Sequence, residues 1–246
     1  KERMFGLDNR QGYHGEDVKE LYYYLDATPT YSYARMLYKY PQAEFPYDRL
    51  VRENVRRGKQ EPEFELIDTG IFDDDRYFDI DIEYAKAEAE DILLRLTVSN
   101  RGPEQAGIHV LPQVWFRNTW SWFIDGRKPL LERLGDNIVV NHRKLGTSAV
   151  HFEEPDEIKF CENDTNAARL YGTPASGGLS KDGFHDYLIN GDQGGVGSRI
   201  GTKAPAIYRR NIPAGGATII RVRLRPGEIV PAPFSDFERI FRVRRS

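Results

Sequence analysis

Cysteine is almost absent: a single residue, Cys161, serves 246 positions. One thiol cannot close an intrachain disulfide and cannot build a cysteine-based zinc site. Long apolar runs are absent too, and none approaches the roughly 20 residues that a membrane-spanning helix requires. No basic start followed by an apolar stretch opens the chain, so no secretory leader is read there. One thiol and no leader together fit a reducing, cytoplasmic setting. Charge of one sign is also lacking, with Asp+Glu 38 against Lys+Arg 35 and a net of -3. Nothing in that balance points to nucleic acid, whose binders carry a basic stripe.

Several chemical signatures are missing as well. His109, His142, His151 and His185 are scattered, with neither HxxxH nor HExxH spacing, which argues against zinc. No GxSxG is present, which removes the usual hydrolase elbow. The stretch GDQGGVGSRIGTK is glycine-rich but lacks the GxxxxGK[ST] spacing and a following helical pattern. It reads as a mobile surface loop. No metal and no cofactor is expected.

What is present is a well-populated core and surface: 39% hydrophobic, 12% aromatic and 30% charged, enough for one large domain. Leu21 to Leu25 reads as a strand. Thr28-Pro29 resembles a helix start, and Tyr33, Met36, Leu37 and Tyr40 follow at helical spacing until Pro41. A second helix is expected from about Tyr47 to Arg57, stopped by Gly58. Beyond it the period becomes two. Phe78, Ile80, Ile82 and Tyr84 alternate with Asp79, Asp81 and Glu83; Ile92, Leu94, Leu96 and Val98 repeat the pattern. Ile108, Val110 and Val114 begin a third strand. More strands are expected at Ile138–Asn141, Ala149–Phe152, Ile158–Glu162, Ala206–Ile212 and Thr218–Leu224, the last two joined by a tight PAGGA connection. Short strands at regular spacing predict a mainly β chain, a large antiparallel β-sandwich with a few short helices. Ser235 and Glu238 resemble a capping box, so a helix leaves the sandwich there.

Three segments are candidates for function. LPQVWFRNTWSW (residues 111–122) holds all three tryptophans, Trp115, Trp120 and Trp122, interleaved with Arg117 and Asn118. As one strand it places Val114, Phe116, Asn118, Trp120 and Trp122 on one face and Trp115 and Arg117 on the other. Bulk on both faces fits a strand covered on both sides, a docking surface, or a platform on which a sugar stacks. HGED, His14 to Asp17 with Lys19, places Glu16 and Asp17 beside an imidazole. Crowded acids shift one another's pKa, yet sequence neighbours on a strand point apart, so a loop or an interdomain rim is the simpler reading. FDDDRYFDIDIEY has six acids in thirteen residues but not the spacing of a calcium loop, and reads as a solvated strand face.

The wording of several segments goes further. KERMFGLDNRQGYHGEDVKELYYYLDATPTYSYARMLYKYPQ, FDDDRYFDI, LPQVWFRNTWSW and GTKAPAIYRRNIPAGG together resemble the N-terminal β-sandwich region of bacterial proteins of glycoside hydrolase family 63, relatives of the mannosyl-oligosaccharide glucosidases. The resemblance covers nearly the whole chain. It implies a super-sandwich over residues 1–234 and a linker helix over 235–246 leading to an (α/α)6 toroid that carries the catalytic carboxylates. Family members are inverting exo-glucosidases, whose acid and base stand roughly 6.5–9.5 Å apart. The dozen long helical patterns of a toroid are not present here, so no catalytic residue is carried over. The family's sandwich starts upstream of Lys1, and the chain reads as a piece of a longer protein that lacks its first strands.

The leading expectation is thus a non-catalytic domain that braces the toroid of an inverting exo-glucosidase. Trp115, Arg117, Asn118, Trp120 and Trp122, with His14, Glu16, Asp17 and Lys19, would form the interdomain or pocket-rim surface. The alternative is a carbohydrate-binding module that recognises an oligosaccharide through exposed indoles. A third reading is a small hydrolase using Glu16 or Asp17 with His14. The expected partner is the toroid, without nucleic acid or membrane, and the isolated piece is expected to self-associate through uncovered aromatic area.

Overall fold

The structure is a computed structural model that describes residues 21–122, 127–173 and 179–246. Two antiparallel sheets pack face to face, as the alternating sequence pattern predicts. The larger sheet has nine strands. β1 (Leu21–Ala27), β2 (Tyr33–Pro41), β3 (Tyr77–Lys86) and β4 (Ile92–Asn100) form its first half. The second half contains β7 (Leu130–Leu134), β8 (Asn137–His142), β9 (Gly146–Phe152), β11 (Ile200–Gly201) and β13 (Ala217–Pro226). Their order is β1-β2-β3-β4-β13-β9-β8-β7-β11. The smaller sheet centres on β12 (Lys203–Ile212), flanked by β10 (Glu157–Ile158) on one side and by β5 (Ala106–Val110) and β6 (Gln113–Trp115) on the other.

The core lies between these sheets. Leu96, Ile138, Val140, Val150 and Ile220 of the large sheet meet Ile158, Phe160, Ala206 and Tyr208 of the small one. A neighbouring cluster of Phe78, Val98, Ile108 and Ile212 extends it beneath β5. Directly opposed residues share a face, so the apolar set of β3 and β4 lines up as Ile82 with Leu96 and Ile80 with Val98.

The helix α1 (Tyr47–Arg57) has the bounds its sequence predicts, and Gly58 ends it with φ 65. Residues 33–41 do not form the expected helix. They are β2, paired with β3 over their whole length and with β1 over residues 34–39. Tyr, Met and Leu at helical spacing also suit a strand whose two faces are both partly covered, and the two flanking ladders decide between them.

The acidic positions of β3 do not form a solvated face. Asp79 and Glu83 are buried, and their face is crossed by α4 (Phe237–Arg245). Asp79 accepts from Lys39 at 2.6 Å and Arg101 at 2.7 Å; Glu83 accepts from Tyr33 at 2.8 Å and Arg95 at 2.7 Å, and pairs with Arg245. Burial alone pushes the Glu83 carboxyl upward, but the bonds from Arg95 and Tyr33 outweigh it and hold the group below the usual carboxylate range. Basic partners one strand away turned a polar stripe into an internal ionic layer. The start of α4 also differs from expectation. Asp236 is its N-cap, without a side-chain cap bond, and Glu238 reaches Arg95 instead of closing a capping box.

The PAGGA segment is not a hairpin. β12 and β13 belong to different sheets, so it carries the chain across the edge of the sandwich. Gly215, at φ 65, donates its N–H to the Asn100 carbonyl at 3.1 Å. The fully buried Asn100 amide in turn holds the Ile212 and Glu104 carbonyls at 2.9 and 2.7 Å.

His151 on β9 is 1% exposed, with Nδ1 3.0 Å from the Asn137 amide oxygen. Burial, reinforced by Arg225 and Arg223, holds its pKa below the ordinary 6.5. The folded chain therefore keeps this ring neutral where the unfolded chain would protonate it. That contribution is complete above the unfolded pKa and is lost as pH falls through the folded one. Urea midpoints measured at pH ~7.5 and ~5 are expected to fall further for the wild type than for His151→Gln. Parallel pH profiles would contradict this role.

A cleft around the tryptophan segment

The segment 111–122 is not one continuous strand. Pro112 lacks an N–H and interrupts the ladder on β12, separating β5 from β6, although its carbonyl still accepts from Ala206 N at 3.0 Å. Pairing ends at Trp115, and residues 116–119 run irregularly into a 3-10 turn, Trp120–Trp122. The two-residue alternation of burial outlasts the pairing. Val114, Phe116, Asn118 and Trp120 turn inward, while Trp115, Arg117 and Thr119 are exposed. The segment is therefore covered on one side, not on both.

The inward side chains anchor the segment. Phe116 stacks on His142 with ring centroids 4.6 Å apart. Asn118 donates to the Asn163 carbonyl at 3.1 Å and to Asp164, while its own oxygen accepts from Ser121 N at 3.2 Å and starts the turn. Asn163 returns a bond from its Nδ2 to the Phe116 carbonyl at 2.7 Å. These reciprocal amide bonds stitch the tryptophan segment to the chain that follows β10. Trp120 is 8% exposed and packs inside. Its indole N–H is buried without an acceptor among the described residues.

Trp115 stands outside this anchor, 54% exposed, at the mouth of a cleft of about 480 Å³. Arg117, Asn118, Ser121, Asn163, Thr165, Lys181 and Lys203 complete its lining, with no carboxylate among the described lining residues. Trp115 and Lys203 are register partners across β6 and β12 and so project on the same face. Lys181 donates its backbone N–H to the Asp164 carbonyl at 2.9 Å and lies just before α3 (Gly183–Asn190). Lys203 donates to the Lys181 carbonyl at 3.3 Å. Burial depresses the pKa of Lys203, and the neighbouring Lys181 charge pushes the same way.

Of the residues predicted as a functional surface, Trp115, Arg117 and Asn118 meet in this cleft, and Trp120 supports it from within. The side chain of Trp122, and the loop of His14, Glu16, Asp17 and Lys19, lie outside the described residues. Asn163, Thr165, Lys181 and Lys203 escape sequence reasoning because strand register and the fold of residues 159–181 bring them to the tryptophans. The glycine-rich segment before Lys203, read as a mobile loop, is partly tied down. Phe160 and Gly197 form a mutual bridge, with N–H to carbonyl distances of 2.9 and 2.7 Å.

Two other clefts hold one carboxylate between them among the described residues. One, of about 630 Å³, is apolar and lies over β1 to β3, with Tyr24, Leu25, Tyr31 and Tyr84 among its lining and Asp26 as its one carboxylate. The other, of about 480 Å³, lies along β5 and β12 and has no acid. Among the described residues no group of three or more His, Cys, Asp or Glu is placed to hold a metal. Cys161 is fully buried, and burial pushes its thiol up to about 12, out of nucleophilic range. No helix of the described residues is long and apolar enough to cross a membrane.

No protein-family model matches the chain. A relative in Saccharomyces cerevisiae, described as "Uncharacterized protein YMR196W", is 38% identical over 264 residues. The match covers 91% of this chain and 24% of the yeast protein, so the chain spans about a quarter of the length of the relative it matches.

Proposed function

We propose that this chain is the non-catalytic β-sandwich of a longer glycoside hydrolase family 63-like protein, an inverting exo-glucosidase, in which it braces a catalytic domain and lines part of the pocket rim. The observation that carries this reading is the chemistry of the tryptophan cleft. Its described residues offer an exposed indole, amides and cations, and among them no carboxylate that could act as acid or base. Inverting hydrolysis needs two carboxyl groups facing each other across substrate and water. The described lining of the three clefts contains one, Asp26. The acids of β3 are held in ion pairs on the α4 side of the sheet.

The apolar depression over β1 to β3 is the bracing surface in this reading. Tyr31 is 73% exposed there, and Tyr24 and Tyr84 stand open beside it. An uncovered aromatic face of this kind is also where isolated copies would associate. On p-nitrophenyl α-glucoside the 246-residue chain is expected to give no turnover above buffer, and the full-length parent measurable turnover. Activity in the short chain, or none in the parent, would overturn the proposal.

A second reading is a saccharide-binding module, favoured by the exposed face of Trp115 beside the Asn118 and Asn163 amides. Trp120 is buried, so the test falls on the exposed Trp115. Saturable tryptophan quenching by malto-oligosaccharides that Trp115→Ala abolishes supports this module. A flat titration supports the bracing role.

A further inference from the structure

The tryptophan cleft combines an exposed ring with two lysines, Lys181 and Lys203. Neighbouring carboxylates among the described residues already have partners. Glu162 accepts from Lys128 and Thr202 at 3.1 and 3.0 Å. Asp164 accepts from Asn118, and Asp182 accepts from Arg169 at 2.6 Å and Asn166 at 3.1 Å. Lys181 and Lys203 form no ion pair among the described residues, and the half-buried Lys203 places its ammonium 3.3 Å from the Lys181 carbonyl. Two lysines that line one cleft without a direct ion pair favour a bound anion. The indole of Trp115, on the same face as Lys203, supplies a flat apolar surface of the kind that packs against the C–H face of a pyranose. The cleft's 480 Å³ falls within the size of small-ligand sites, roughly 300–1,000 Å³.

We propose that this cleft binds an acidic saccharide, with the sugar ring on Trp115 and its carboxylate or phosphate between Lys181 and Lys203. The Asn163 amide oxygen and the Thr165 hydroxyl line the cleft as partners for sugar hydroxyls. The proposal deepens the pocket-rim reading above and rests on it only for the choice of a sugar. The contact is between opposite charges, so affinity falls with rising salt.

Calorimetric titration of the 246-residue chain with glucuronate, glucose 6-phosphate, glucose and inorganic phosphate tests it. One of the two acidic sugars is expected to bind at least ~10-fold more tightly than glucose, as a charge-assisted contact predicts. The tighter of the two identifies the acid group. Inorganic phosphate is expected to bind at least ~10-fold more weakly than that sugar, because it leaves Trp115 unused. Lys181→Gln with Lys203→Gln brings the acidic sugar to the affinity of glucose, and Lys181→Gln alone gives part of the loss. Trp115→Ala weakens the acidic sugar, while Trp115→Tyr keeps most of its affinity; circular dichroism shows that each variant is folded. Equal affinity for glucose and both acidic sugars, no binding of any, inorganic phosphate equal to the sugar acid, or a double-lysine variant unchanged would each overturn the proposal. The two readings fail separately: an inactive full-length parent refutes the glycosidase assignment, and loss of acid preference refutes this one.

Discussion

Arg223→Met is expected to lower the unfolding free energy by about 3–5 kcal/mol, because it breaks a buried ion pair from one side. Arg223 sits in the middle of β13, opposite Leu93 and His151, with its side chain 7% exposed. Nε and Nη2 bind the two oxygens of Asp91 at 2.7 and 2.8 Å, a bidentate fork. Nη1 binds Asp236 and the Pro233 carbonyl, each at 2.7 Å. Methionine would retain much of the volume and leave the buried Asp91 without its cation. Pairing the substitution with Asp91→Asn removes the stranded charge, so the double variant should recover a substantial part of the loss. Urea unfolding at neutral pH measures both. A single variant within about 1 kcal/mol of wild type would show that the pair is solvated in practice.

The second large effect belongs to the last helix. Phe241→Ala is expected to cost about 3–5 kcal/mol, the range for truncating a fully buried aromatic. Phe241 packs with Phe237 and Ile240 against Tyr33, Ala85 and Leu93 of the large sheet. The Tyr33 ring meets it edge-on at 6.4 Å, and the Arg95 guanidinium lies 4.4 Å from its centroid. The same contacts cover Glu83, so loosening α4 also exposes the ionic layer on β3. Hydrogen exchange would then accelerate in β2 and β3 as well as in α4. Acceleration confined to residues 237–245 would mean that the helix detaches without disturbing the sheet. Phe241→Leu, which keeps most of the apolar volume, should cost far less.

The legible parts of the chain are those where one local rule dominated. β3 and β4 show the two-residue alternation of a strand, and α1 ends at the glycine that its φ demands. The misread parts are those where a neighbour changed the balance. Tyr33 to Pro41 fits a helix by spacing, but ladders on both sides make it β2. Asp79 and Glu83 look solvated until Lys39, Arg101, Arg95 and Arg245 close over them. The short helices α2 (Ala167–Tyr171) and α3 gave too few turns to show a helical period.

The candidate cleft divides the same way. Its aromatic half was visible as a run of tryptophans beside Arg117 and Asn118. Its cationic half was not, since Lys181 and Lys203 stand more than sixty positions along the chain and reach Trp115 only through β12.

The sequence by itself determined a β-rich chain with an amphipathic repeat, a glycine-stopped helix and an aromatic segment too rich to be an ordinary connection. Which indole is presented to solvent, which acids are neutralised and which lysines line the cleft were decided only by tertiary structure. The physical reason is range. Backbone preference and side-chain periodicity act over a few residues, whereas burial and charge pairing depend on strands that meet from distant parts of the chain.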